Sequence, residues 1–185
     1  LLGVDYPTFL DIPITSSTGD TSIIGPTNVI RPAITGKNDG YYEWAGAGVF
    51  ENSRKTGGAM YNSIKLTDRI LYGFDRDNLF FKIQLVDPLS FYEHKKYFLK
   101  GFIMNGRDID FVLPVMRINP ADFAVRFNSE SGYLSEVIGA GTAAFEDVLE
   151  LRLNSKKSGL KPGDNVKIYF KIVSSDGIEL ERVPV

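Results

Sequence analysis

Strict alternation of apolar and polar residues dominates this chain, and it admits one kind of secondary structure. Leu79, Phe81, Ile83 and Leu85 alternate with Phe80, Lys82, Gln84 and Val86. Phe123, Val125 and Phe127 alternate with Ala124 and Arg126, and Leu149, Leu151 and Leu153 with Glu150 and Arg152. Val166, Ile168, Phe170 and Ile172 alternate with Lys167, Tyr169 and Lys171. In an extended strand successive side chains point to opposite faces, so each set turns one apolar face to a core and a more polar face outward.

Turn chemistry separates these runs. Asp75-Arg76-Asp77-Asn78 lies between 69–74 and 79–86, Asn105-Gly106 between 97–104 and 108–117, and Asp176-Gly177 between 165–173 and 178–182. Asn-Gly and Asp-Gly tolerate the positive φ of tight hairpins. Pro162-Gly163-Asp164 predicts a further turn before a strand. No clean helical stripe occurs; residues 154–159 offer one helical turn, capped by Asn154 or Ser155 and ended by Gly159. Many short strands with hairpin turns and minimal helix predict an all-β fold, an antiparallel β-sandwich. A closed barrel gives the same periodicity and stays open.

The 185 residues suit one domain, and 43% hydrophobic with 24% charged content excludes a disordered or collagen-like chain. Residues 1–26 are broken by Pro7, Pro13 and Pro26 and hold a Ser/Thr/Gly run at 15–22. They read as a linker from an upstream neighbour, leaving 27–185 as the β-sandwich domain. The start at Leu1-Leu2-Gly3-Val4-Asp5 has neither the basic end nor the apolar stretch of a signal peptide, and the chain reads as a piece of a longer protein. The longest purely apolar run, 111–116, contains Pro114 and is far shorter than the roughly 20 residues of a membrane span. A net charge of −2 argues against a nucleic-acid partner. With no cysteine, disulfides, thiolate nucleophiles, Cys-ligated zinc and iron–sulfur clusters are excluded. Cytoplasmic and secreted locations both stay open.

Catalytic constellations are not evident. His94, the sole histidine, sits among Glu93, Lys95 and Lys96 in a polar stretch. Asp108 and Asp110 share a strand face after the Asn105-Gly106 turn, but nothing marks them as buried, as a carboxyl pKa raised for glycoside hydrolysis would need. No cofactor is called for, a structural calcium being the exception. Asp75 and Asp77 open like a calcium loop yet lack its glycine and closing glutamate, so they and Asp108 with Asp110 are the candidate metal residues, against a plain turn and a plain strand. Gly46-Ala47-Gly48 and Gly139-Ala140-Gly141 lack phosphate-loop spacing and read as small residues in strands or bulges.

Tyr41, Tyr42 and Trp44, the sole tryptophan, follow the polar run Gly36-Lys37-Asn38-Asp39-Gly40. As a strand, the segment would put Tyr42 and Trp44 on one face and Tyr41 on the other. Aromatic faces stack on the C–H faces of sugar rings, so a carbohydrate platform is one reading. Burial of Tyr42 and Trp44 in a core is the other.

Two segments resemble a known family. Residues 34–48, Ile34-Thr35-Gly36-Lys37-Asn38-Asp39-Gly40-Tyr41-Tyr42-Glu43-Trp44-Ala45-Gly46-Ala47-Gly48, resemble the opening of a C-terminal domain of glycoside hydrolase family 57 proteins, and Gly58-Ala59-Met60 fits the motif that follows it. Gly73-Phe74-Asp75 and Asn78-Leu79-Phe80-Phe81-Lys82-Ile83 resemble its central hairpin. Residues 145–153, 159–164 and 177–184 are similar to its closing strands. More distantly the plan resembles the glucodextranase C-terminal domain and family 9 carbohydrate-binding modules, which implies a DOMON-like or jelly-roll-like sandwich. The resemblance implies a non-catalytic accessory domain of an α-glucan-active enzyme whose catalytic domain lies upstream. Its partners would be an α-glucan or other polysaccharide and that catalytic domain. With one tryptophan, a sugar-sandwiching pair would need Tyr41, Tyr42 or Tyr61 as its second ring. The alternative is a purely structural domain that packs on the catalytic barrel or mediates oligomerisation.

Overall fold

The computed structural model describes residues 22–52, 65–104, 108–128, 134–161 and 163–184. Eleven strands form it: β1 (Ser22–Ile24), β2 (Gly48–Glu51), β3 (Thr67–Phe74), β4 (Asn78–Leu85), β5 (Phe98–Met104), β6 (Asp108–Pro114), β7 (Ile118–Asn128), β8 (Leu134–Phe145), β9 (Leu149–Asn154), β10 (Lys167–Val173) and β11 (Glu179–Val183). All pair antiparallel in one sheet of order β1-β2-β3-β4-β9-β8-β7-β6-β5-β10-β11. The all-β expectation therefore holds, and its two layers are halves of a single folded-over sheet. Among the described residues β1 and β11 end the strand order, and no ladder between them closes the sheet into a barrel.

Folding over is visible in the core. Phe81 of β4 meets Phe170 of β10 edge-to-face, ring centroids 5.3 Å apart, although five strands separate them in the order. Phe50, Ile70, Phe81, Ile83, Leu149 and Leu151 from one half bury against Leu99, Phe111, Leu113, Phe170, Ile172 and Val183 from the other. The long strands β7 and β8 turn the corner with register shifts at Ile118/Ala121 and Phe123/Val125, as bulged strands do. Gly139, at φ +69° within β8, fits the small-residue reading of that stretch.

Two glycines make room for rings. Gly101 is the ladder partner of Phe111, and a Cβ there would lie 2.1 Å from Phe111 Cζ. Gly141 faces Phe123 in the same way. Aromatic cover of a strand glycine restores the packing that the missing side chain forgoes. Gly101→Ala is expected to destabilise by about 1–3 kcal/mol through overpacking. Urea unfolding checks it, and an unchanged midpoint would mean that the Phe111 ring moves aside freely.

Two sequence expectations are corrected. β1 falls inside the predicted 1–26 linker, because a three-residue edge strand is too short to display a period. Residues 154–159 form a turn, not a helix, although Asn154 Oδ1 does accept the Lys157 N–H at 2.9 Å. The helical turn is instead α1 (Leu89–Tyr92), which follows Pro88 and seats Leu89 and Tyr92 in the core. No helix among the described residues is long and apolar enough to cross a membrane.

Candidate functional site

Between β1 and β2 the chain does not form the strand expected around Tyr41–Trp44. Residues 27–47 run as coil across the outer face of β3, β4 and β9, with a 3-10 turn at Tyr42–Trp44. Ile30, Trp44 and Phe80 bury together there, flanked by Ile34, Ala47 and Leu71. Both faces of β4 are thus covered, which explains why Phe80 and Phe81 are both buried.

The corrected geometry splits the aromatic cluster. Trp44 is 5% exposed, whereas Tyr41 and Tyr42 are 81% and 89% exposed. Trp44 belongs to the core reading and offers no face to a ligand. Tyr41 and Tyr42 stand at the protein surface, ring centroids 5.6 Å apart and planes at 83°. Their rings form an open corner, and Lys37, Asn38, Asp39 and Glu43, close to them in the chain, are exposed as well. Tyr61 lies outside the described residues.

A buried carboxylate fixes this corner from below. Glu150 Oε2 accepts the N–H of Thr35 at 2.9 Å and of Gly36 at 3.0 Å, and Oε1 accepts Trp44 Nε1–H at 3.2 Å. Lys82, the cross-strand partner of Glu150, places Nζ 3.5 Å from Oε1 and 5.8 Å from the Trp44 ring centre. The alternation had assigned Lys82 and Glu150 to an outward face, yet both are buried. Periodicity identifies faces; it does not report that a distant coil will cover one of them. Glu43 adds a second tie, its Oε2 accepting the Ala33 N–H at 2.9 Å.

Of the acidic candidates, Asp75 and Asp110 are engaged by local structure, and Asp77 is exposed at the turn. Asp75 Oδ1 accepts the N–H groups of Asp77 and Asn78 at 2.8 and 2.7 Å, which is the bonding of a turn. Asp75 also faces Arg31 at 3.7 Å. Asp110 forms a two-point ion pair with Arg126, at 3.1 and 2.9 Å, across the β6–β7 ladder. Asp108 is exposed at the start of β6. Among the described residues no three His, Cys, Asp or Glu side chains gather to hold a metal ion. His94 is exposed after α1.

The charged groups that sequence reasoning missed are Glu150, Lys82 and Glu181. The first two are charged members of ordinary alternating strands, and Glu181 lies in the short run Leu180-Glu181-Arg182-Val183, so no local signal marks any of them. No family model, curated protein or solved structure matches the chain.

Proposed function

We propose that this chain is a non-catalytic accessory domain that binds carbohydrate, attached to an α-glucan-active enzyme of the glycoside hydrolase family 57 type. The observation that carries the reading is the exposed Tyr41–Tyr42 corner on a turn anchored by Glu150 and Trp44. Large rings left almost fully in water gain from covering, and a pyranose offers an apolar face with hydroxyls at its rim. Lys37, Asn38 and Asp39, exposed and just ahead of the rings in the chain, offer polar groups for those hydroxyls. The resemblance of residues 34–48 supplies the α-glucan.

A single such site binds modestly, at about 1 mM or roughly −4 kcal/mol. Titration calorimetry with maltooligosaccharides tests this. Tyr42→Ala is expected to weaken binding at least about tenfold, close to 1.4 kcal/mol. Its melting temperature should stay near that of the parent, as for other exposed positions. Absence of heat at millimolar sugar removes the reading.

One observation favours the structural alternative. Ile23, Phe74 and Leu79 line an apolar cleft of about 330 Å³ between β1, β3, β4 and β10, and Ile23 and Phe74 are exposed there. A surface of this kind suits packing against the upstream domain.

A further inference from the structure

The apolar cleft at Ile23 runs between the two halves of the folded-over sheet. Phe50, Ile70 and Phe81 line it from one half, and Ile168, Phe170 and Pro184 from the other. Phe50, Ile70, Phe81 and Phe170 are buried core residues, whereas Ile23 and Phe74 are 61% and 49% exposed. The cleft therefore opens to solvent at β1 and the end of β3 and reaches down to the core. Tyr72 brings the one polar side chain of this lining among the described residues, and its hydroxyl already donates to Ile24 O at 3.1 Å. Water finds few partners in such a space, and apolar cavities of this kind take apolar guests.

A second cleft, of about 660 Å³, continues from the first, because Phe74, Leu79 and Val166 line both. Its lining is charged: Arg31, Arg76 and Lys161 on one side of the balance, Asp75 and Asp164 on the other. The two acids are engaged. Asp75 Oδ1 accepts the N–H groups of Asp77 and Asn78, and Asp164 Oδ2 accepts the Lys161 N–H at 2.8 Å. Arg31 stands 3.7 Å from Asp75 with its side chain 75% exposed. Arg76 and Lys161 are exposed, and neither forms an ion pair among the described residues. Asp77 is exposed on the same turn but does not line the cleft. An apolar slot thus leads directly to a rim with a surplus of positive charge.

We propose that the two clefts form one binding site for a single-chain anionic amphiphile, a fatty-acid-like carboxylate. Its alkyl tail lies between the sheet halves, against Phe50, Phe81 and Phe170, and its head group lies at the rim lined by Arg31, Arg76 and Lys161. Burial of the tail supplies most of the affinity, and the cations select the head group and fix which end enters. A mostly apolar lining with a few charged groups at one end is the usual make-up of a small-molecule site. The site is separate from the Tyr41–Tyr42 corner. It uses the cleft that the structural alternative would cover, and it rests on neither reading.

Titration of the whole chain with octanoate, decanoate and dodecanoate below their micelle concentrations, followed by isoleucine-methyl NMR, tests it. The methyls of Ile23, Ile70 and Ile168, which line the cleft, should shift, while those of Ile34, beside Trp44 on the outer face, should not. Affinity should rise about fourfold with each added methylene. The double variant Arg76→Glu, Lys161→Glu should bind dodecanoate about tenfold more weakly. Dodecyltrimethylammonium, a similar tail with a cationic head, should be weaker on wild type by about the same factor. Unmoved Ile23, Ile70 and Ile168 methyls overturn the site, and so does equal binding of the two head groups. Shifts produced by phosphatidylglycerol vesicles but not by the free acids overturn it in favour of a membrane-docking face. If the double variant does not fold, the comparison of head groups on wild type decides alone.

Discussion

Glu150→Ala is expected to lower stability by about 3–5 kcal/mol, the range for removing one partner of a buried ion pair. For a chain of this length that corresponds to a fall of roughly 6–20 °C in melting temperature. The loss has two parts. Lys82 Nζ, on a side chain only 6% exposed, is left as an uncompensated buried charge. The N–H groups of Thr35, Gly36 and Trp44 lose their acceptor together. Lys82→Met should be milder, because Glu150 keeps those three donors. Urea unfolding of the two variants measures the asymmetry, and a red shift of Trp44 emission in Glu150→Ala would report release of the 27–47 coil. Equal effects of the two substitutions would mean that the ion pair, not the set of N–H donors, holds the coil down.

Gly36→Ala is expected to be comparably severe, about 3–5 kcal/mol, in the class of backbone strain added to a buried clash. Gly36 has φ +76°, where an L side chain is disfavoured by roughly 1–2 kcal/mol. A Cβ there would lie 2.7 Å from the Phe145 nitrogen and 2.9 Å from Ala144 C and Glu146 N, all backbone atoms with no rotamer to escape by. Gly36 O also accepts from the N–H groups of Glu146, Asp147 and Val148, which pins the coil to the β8–β9 turn. Gly177 is the internal control: its φ is +81°, but nothing lies within 4 Å of its Cβ position. Gly177→Ala should therefore show the conformational penalty alone. Thermal melts of the two variants side by side separate strain from collision, and matching midpoints would refute the packing argument at Gly36.

Legibility divided along the line between local and long-range physics. Runs such as 79–85 and 149–153 were readable because alternation is written in the chain itself, and Asp75 and Gly177 announced their turns through local hydrogen bonding and positive φ. The covering of Lys82 and Glu150 was not readable, because the atoms that bury them come from residues 30–47, far away in sequence. For the same reason the aromatic cluster could be recognised but not sorted. A 3-10 turn, not a strand, decides that Trp44 points in and Tyr41 and Tyr42 point out. Asp108 and Asp110 looked like neighbours on a face, as they are, but Arg126, which engages Asp110, arrives from the next strand.

The strand order has a kinetic consequence. β5 to β9 form a meander in which each strand pairs with the next, so those contacts close short loops. β4 and β10 then add to its two sides, joining residues as distant as Phe81 with Leu151 and Gly101 with Phe170. Such closures forfeit chain entropy before any contact rewards them, which places this topology among the slow folders, on the millisecond-to-second scale. The meander is therefore expected to form the nucleus, with the flanking hairpins and the coil that carries the tyrosine pair assembling onto it later.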